Sequence, residues 1–172
     1  MRDVKPVRAG KAGISGMALF VALVLGAPLQ AQTAPTKPTM LPFDSVNRVI
    51  SALMPAAQRE NVKNVAFSAQ GSDLRMDADV RLSVVPGMEM MAALGFARMT
   101  GVGPVSIVQP GVVGWQLRSI EVAGVPLSPT IWSPQVRKAT KRNDNVVPVQ
   151  VGTWVKGVEV QPRGLRLYCG ER

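Results

Sequence analysis

An α+β fold, built as an antiparallel curved sheet of about six strands packed on two amphipathic helices, is what three features of the sequence predict. Leu74 to Val84 alternates without a slip, with Leu74, Met76, Ala78, Val80, Leu82 and Val84 on one parity and Arg75, Asp77, Asp79, Arg81 and Ser83 on the other. Only a long, half-buried antiparallel strand has that period. Two further runs, Phe43–Met54 and Pro129–Arg142, place apolar residues at helical spacing. Three pairs of apolar runs are joined by connections too short for parallel crossovers, so the sheet is expected to consist of three hairpins.

The chain has 172 residues. Arg2, Lys5, Arg8 and Lys11 precede the apolar run Met17–Leu25, and Leu29-Gln30-Ala31 offers small-residue cleavage before Gln32. This is the order of a secretory signal peptide over residues 1–31. The apolar run is shorter than the roughly 20 residues that cross a bilayer, so removal is the expectation rather than anchorage. The working protein is then exported, periplasmic or extracellular. Gln32–Pro42 is rich in Pro and Thr and reads as a flexible linker, which leaves 43–172 as a single α+β domain.

In the first helix Phe43, Val46, Ile50 and Leu53 recur on one face, with Asp44 or Ser45 as the N-cap oxygen and Pro55 as the stop. Val65, Phe67 and Ala69 alternate ahead of Gln70-Gly71-Ser72-Asp73, so they pair with the long strand as a hairpin. Met88–Met99 is too densely apolar to show a period, and helix through Ala92-Ala93-Leu94 is the better assignment; Gly101-Val102-Gly103-Pro104 reads as a turn. Val105–Gln109 and Val112–Val122 form a second hairpin around Pro110-Gly111. Its second arm points Val113, Trp115 and Leu117 one way and Ile120 and Val122 on the opposite parity, which requires a bulge near Arg118-Ser119. Pro129–Arg142 is the second helix, capped by Ser128 or Ser133 and stopped by Asn143-Asp144-Asn145. Val146–Val151 is a short edge piece, and Trp154–Val160 with Leu165–Tyr168 closes the sheet as the last hairpin.

Composition excludes several chemistries. The chain has no histidine, which removes the commonest general base and metal ligand together. Its one cysteine, Cys169, allows no internal disulfide and supplies no resolving partner for redox work. Loss of residues 1–31 would remove four basic residues and Asp3, leaving a net charge of +6. That balance suits an anionic membrane surface, a polyanionic polymer or an acidic partner, and equally serves solubility. Neither a cofactor nor a metal is expected, and no stacking arrangement of aromatics points to nucleic acid.

Three clusters remain as candidates. Asp77 and Asp79 project on one face as a catalytic acid pair would, but Arg75 and Arg81 flank them, and a solvated ladder of alternating charge accounts for the set. Met88, Met90, Met91, Leu94 and Phe96 have the adaptable apolar character of a lipid-groove lining, or of plain core filling. Arg137, Lys138, Lys141 and Arg142 concentrate charge at the end of the second helix, where the macrodipole favours cations; four exceed that need and suit contact with anionic headgroups.

The order of elements resembles one family. An amphipathic helix, Phe43–Met54, precedes meandering strands; Ile120-Glu121-Val122-Ala123-Gly124-Val125-Pro126-Leu127 then enters a helix, and Val155–Tyr168 closes the chain. This passage is similar to that of small exported proteins related to the tubular lipid-binding and AsmA-like envelope groups. The resemblance implies a curved sheet wrapped around helices with an apolar groove for lipid tails, although this chain is shorter than full lipid-carrying modules. The function expected is a non-catalytic exported domain that binds a lipid or other apolar ligand at the envelope. The rival is an assembly module that docks another envelope protein along a sheet edge.

Overall fold

The computed structural model describes residues 37–85 and 87–170. The signal peptide expected over residues 1–31 lies outside them.

The expected alternation organises the largest sheet. Strands β2 (Val62–Gln70) and β3 (Asp73–Arg81) form a hairpin whose two-residue loop, Gly71-Ser72, uses the positive φ of Gly71 (+63°). Leu74, Met76, Ala78, Val80 and Leu82 are all buried, as their parity demands. The strand ends at Arg81, and Leu82–Val84 turns into a short 3₁₀ segment. Next to β3 lies β4 (Phe96–Gly103), then β7 (Ser119–Val122) and β8 (Val125–Pro126), giving the order β2-β3-β4-β7-β8.

A bend carries this sheet into a second one. After β4 the chain breaks at Pro104 and continues as β5 (Val105–Gln109); coming back, β6 (Val112–Gln116) breaks at Leu117-Arg118 before β7. The two breaks face each other, because Gln116 N–H donates to Pro104 O (2.9 Å) and Arg118 N–H to Val102 O (2.9 Å). Strands β5 and β6, with β9 (Val146–Gln150) at the edge, therefore form a three-stranded sheet continuous with the first but turned away from it. The parity change in the sequence had placed this irregularity at Arg118-Ser119. Gly103 makes the crossing possible: a Cβ there would lie 1.8 Å from Gln116 O. Trp115 Nε1–H donates to Gly103 O (3.1 Å) and Leu74 O (3.3 Å), fastening the second sheet to the first.

The third sheet, β1-β11-β10, joins the two ends of the domain: β1 (Thr39–Pro42) pairs with β11 (Gly164–Cys169), which forms a hairpin with β10 (Val155–Gln161). Helix α1 (Phe43–Leu53) packs on β2, β1 and β11, a single turn α2 (Ala56–Arg59) follows, and α3 (Pro129–Thr140) packs on β9 with Trp132 and Val136 buried. Ser128 caps α3, its Oγ accepting from Thr130 N–H (3.4 Å), and Lys141 ends it in the left-handed region (φ 55°).

The α+β antiparallel class holds; several details do not. Eleven strands in three sheets among the described residues replace one curved sheet of about six. Thr39–Pro42 is not linker but strand, because β11 offers it a free edge. Met88–Met99 is not an α-helix: Glu89–Leu94 makes 3₁₀ turns that stop at Gly95 (φ 76°), and Phe96 already begins β4. Gly101–Gly103 belongs to β4 rather than to a turn, since its ladder partners on β3 and β7 are in place. Helix α1 begins at Phe43 behind Pro42, with no side-chain cap from Asp44 or Ser45.

Gly103→Ala drives a methyl into a backbone carbonyl that the bend holds fixed, so we expect a loss above about 3 kcal/mol, beyond the usual range for overpacking. Gly124→Ala meets nothing within 4 Å and should cost only the strain of its positive φ (+77°). Denaturant unfolding of the two variants checks this; equal losses would show that the crossing is slack.

Candidate functional site

Concave curvature leaves more room than α1 can fill. Between the helix and the three sheets lies an apolar groove of about 150 Å³. Phe43, Val46, Val49 and Ile50 of α1 form one wall, an i, i+3, i+6, i+7 set that contains Phe43, Val46 and Ile50 of the apolar face expected from the sequence. Leu41 of β1, Val158 of β10, and Leu165 and Leu167 of β11 form a second wall. Val105, Val113, Trp115, Val149 and Val151 form the third, with Phe67 and Leu74 completing the lining. Val46, Ile50, Val105, Val149 and Leu165 are only partly buried although they pack against the core. Half-covered aliphatic walls are what a groove, as opposed to a sealed core, requires.

Polarity is nearly absent from it. Ser45 contributes the one hydroxyl, and the indole N–H of Trp115 is turned to the backbone acceptors described above. The Trp115 ring meets Phe67 edge-on, with centroids 6.2 Å apart and planes at 69°. Cavities of about this size lined by Leu, Ile and Phe stay dry and take benzene, whereas drug-sized ligands need roughly 300 Å³ or more. The groove as it stands therefore has room for a small ring or the end of an alkyl chain, and not for a larger body.

Asn47, on the border of the apolar face of α1, sets the height of the helix over the groove. Its Oδ1 accepts from Phe67 N–H (2.7 Å) and its Nδ2 donates to Phe67 O (3.4 Å), so one side chain occupies both backbone groups of an edge-strand residue. Sequence reading missed it, because a polar residue beside an amphipathic stripe looks like one more solvated position. Asn47→Ala removes both bonds and leaves the half-buried Phe67 amide without its acceptor. The expected loss is about 1 to 3 kcal/mol, read as a lower denaturation midpoint.

Each sequence candidate has a definite place. Met88, Met90, Met91, Leu94 and Phe96 do not line this groove; Met88 packs on the core, and Met90, Met91 and Leu94 stand exposed on the 3₁₀ segment. Phe96, at the start of β4, carries Lys63 Nζ 4.4 Å and the Arg81 guanidinium 5.4 Å from its ring centroid. Of the basic cluster, Arg137 donates to Ser133 Oγ (2.7 Å) and Arg142 forms a bidentate pair with Asp144 (2.8 Å on each arm). No hydrogen bond or ion pair holds the ammonium groups of Lys138 and Lys141 among the described residues.

The acids are committed to structure. Arg75 donates twice to Asp77 (2.8 and 2.9 Å), and Thr100 Oγ1 donates to it as well (2.7 Å). Asp79 accepts from Asn64 Nδ2 (2.7 Å), while Arg81 lies over Phe96 instead. The Arg75 hydrogen bonds above all, then that of Thr100, hold the Asp77 carboxyl below the usual range against the opposing effect of burial. Among the described residues no three His, Cys, Asp or Glu side chains come together to hold a metal, and no helix is long and apolar enough to cross a membrane.

Asp77 gives a pH test. A carboxyl whose native pKa lies below its unfolded value stabilises the fold at any pH above that unfolded value, about 3.9, and loses the contribution as pH falls through the native one. Asp77→Asn should cost about 1 to 2 kcal/mol at pH 7, a shift of several degrees in Tm, and the gap to wild type should close below about pH 4. A gap of constant size from pH 7 to pH 3 would remove the carboxylate from the account.

Comparison with protein-family models, with curated proteins and with solved structures finds no match to this chain.

Proposed function

We propose that this chain is a non-catalytic, exported domain of the cell envelope that binds an apolar ligand, an alkyl or acyl end, in the groove beneath α1. The single observation that carries the reading is the 150 Å³ apolar groove walled by half-covered aliphatic side chains. Burial of alkyl surface against such walls is worth about 25 cal/mol per Å², with no polar group that needs a partner. The ordering of leader residues 1–31 supports the address, and Lys138 and Lys141 at the end of α3 suit a surface of anionic headgroups. Pairing of Asp77 and Asp79 with Arg75 and Asn64 commits these two acids to structure, which supports a binding role over use of this pair in catalysis.

The test uses the tryptophan in the wall. A medium-chain fatty acid brominated near its methyl end should quench Trp115, and the quenching should be lost in Trp115→Phe even though Trp132 and Trp154 remain. Val46→Phe with Val149→Phe narrows the groove from two sides and should lower affinity for the unbrominated acid at least tenfold while Tm holds or rises. Native mass spectrometry of protein extracted gently from its own envelope should show a lipid adduct. A clean unliganded mass together with an unquenched Trp115 overturns this reading in favour of a module that docks an envelope protein along a sheet edge.

A further inference from the structure

The most exposed large apolar side chains lie on the segment between β3 and β4, away from the groove. Met90 is 99% exposed and Leu94 68%, with Met91 beside them at 37%. An isolated exposed Leu needs no explanation, but three such side chains on one six-residue 3₁₀ turn form a protruding apolar knuckle. Its backbone is tied at three points: Met91 N–H donates to Met88 O (2.9 Å), Gly95 N–H to Ala92 O (3.1 Å), and Gly95 O accepts from Leu82 N–H (2.8 Å). Met88 roots it in the core. An element that enters an apolar phase has to meet both conditions, since backbone groups find no water there.

The surroundings are cationic. Lys63 and Arg81 sit over Phe96 at the base of the knuckle, and Arg98 follows two residues along β4. Helix α3 abuts on the other side, where a Cβ at Gly87 would lie 3.8 Å from Ile131, itself partly exposed. From Ile131 the same helix face leads, seven residues on, to Lys138, about 10 Å away along the axis. Lys63 and Arg81 have the uncharged Phe96 ring as their partner, and Lys138 and Lys141 form no ion pair among the described residues. Asp79 and Asp144 are already engaged by Asn64 and Arg142.

We propose that the Met88–Leu94 knuckle is a membrane-docking element: Met90 and Leu94, with Met91 at the shoulder, enter the headgroup–acyl boundary of an anionic bilayer, while Lys63, Arg81, Lys138 and Lys141 contact its headgroups. Apolar tips ringed by cations match an interface that is apolar inside and negative outside. A protein partner would have to supply both an apolar socket and a ring of acids. The docking surface is independent of the groove, because none of its residues lines it.

The experiment places a dye at the tip. In a Cys169→Ser background, Met90→Cys carries an environment-sensitive fluorophore, and the protein is mixed with vesicles of neutral lipid alone or with about a third anionic lipid. Anionic vesicles should shift emission to the blue and neutral ones should not, and added salt should reverse the shift as the Debye length falls from about 10 Å at 0.1 M. Met90→Asp with Leu94→Asp should weaken vesicle partition at least tenfold with Tm unchanged, since both side chains are solvated in the free protein. Fatty-acid quenching of Trp115 should persist in that variant, so failure of the groove reading and failure of this one give separate signals. Three results overturn the proposal: wild type that ignores anionic vesicles at low salt, a dye that stays in water while the protein binds, or a double-Asp variant that binds as wild type does. The last two with retained binding point to the basic end of α3 alone.

Discussion

The crossing at Gly103 is the constraint from which the rest of the architecture follows. Two strands run through it, each interrupted at the same level, one by Pro104 and the other by Leu117-Arg118. Only a residue without a side chain lets the backbones approach so closely. Because both arms turn together, the ladder continues through the bend, and the sheet β5-β6-β9 is set at an angle to β2-β3-β4-β7-β8. Trp115 then spans the inner side, holding Gly103 O and Leu74 O with one N–H while its ring faces Phe67. A flat sheet of the same composition would bury its apolar face under two helices and leave no groove.

Closure at the other side depends on chain ends. Strand β1 adds to β11 from the opposite end of the described chain, and Phe43 N–H donates to Arg163 O (3.1 Å), so α1 starts already attached to the third sheet. Asn47 attaches the same helix to the edge of β2. The helix is thus held at two places about a turn apart, over a concavity wider than its own apolar stripe. The void beneath it is a geometric remainder: three sheets of fixed mutual inclination and one helix of fixed height do not fill the space between them. The other end of the helix is tied as well, since Arg59 donates to Ala52 O (3.3 Å) and Met54 O (3.0 Å) and Met54 is buried.

What could be read from the sequence was whatever depends on neighbours in the chain. The period of Leu74–Leu82 gave the facing of β3, and the parity change after Leu117 gave the place of the bend, because both are consequences of a two-residue repeat. Helix α1 showed its groove-facing side for the same reason. The missed features are long-range. Thr39–Pro42 becomes a strand only because β11 lies beside it; Gly103 looks like a turn glycine until the partner strand is known; Asn47 matters only through Phe67. The Met88–Phe96 stretch misled in a different way. Dense apolar composition measures how strongly a segment avoids water, not which apolar phase it finds, and here Gly95 and the 3₁₀ turns direct most of it outward.

Charge pairing sharpens the contrast between the two apolar features. Asp77 is consumed by Arg75 and Thr100, Asp144 by Arg142, Asp73 meets Arg118 at 3.6 Å, and Glu159 accepts from Tyr168. The carboxyls of Asp77, Asp144 and Glu159 are each held below their usual range by those hydrogen bonds, so they remain ionised, and bound to their partners, throughout neutral and mildly acidic pH. Neutralisation is therefore local and already spent within the fold. The excess positive charge is left on side chains such as Lys138 and Lys141 that no acid claims, and on Lys63 and Arg81, whose partner is the uncharged ring of Phe96. Lys63 and Arg81 stand at the base of the knuckle, whereas the groove lining carries no charge. One apolar feature is uncharged and half-covered by the protein's own walls, and the other stands exposed with Lys63 and Arg81 at its base, so the two differ in electrostatic surroundings as well as in exposure.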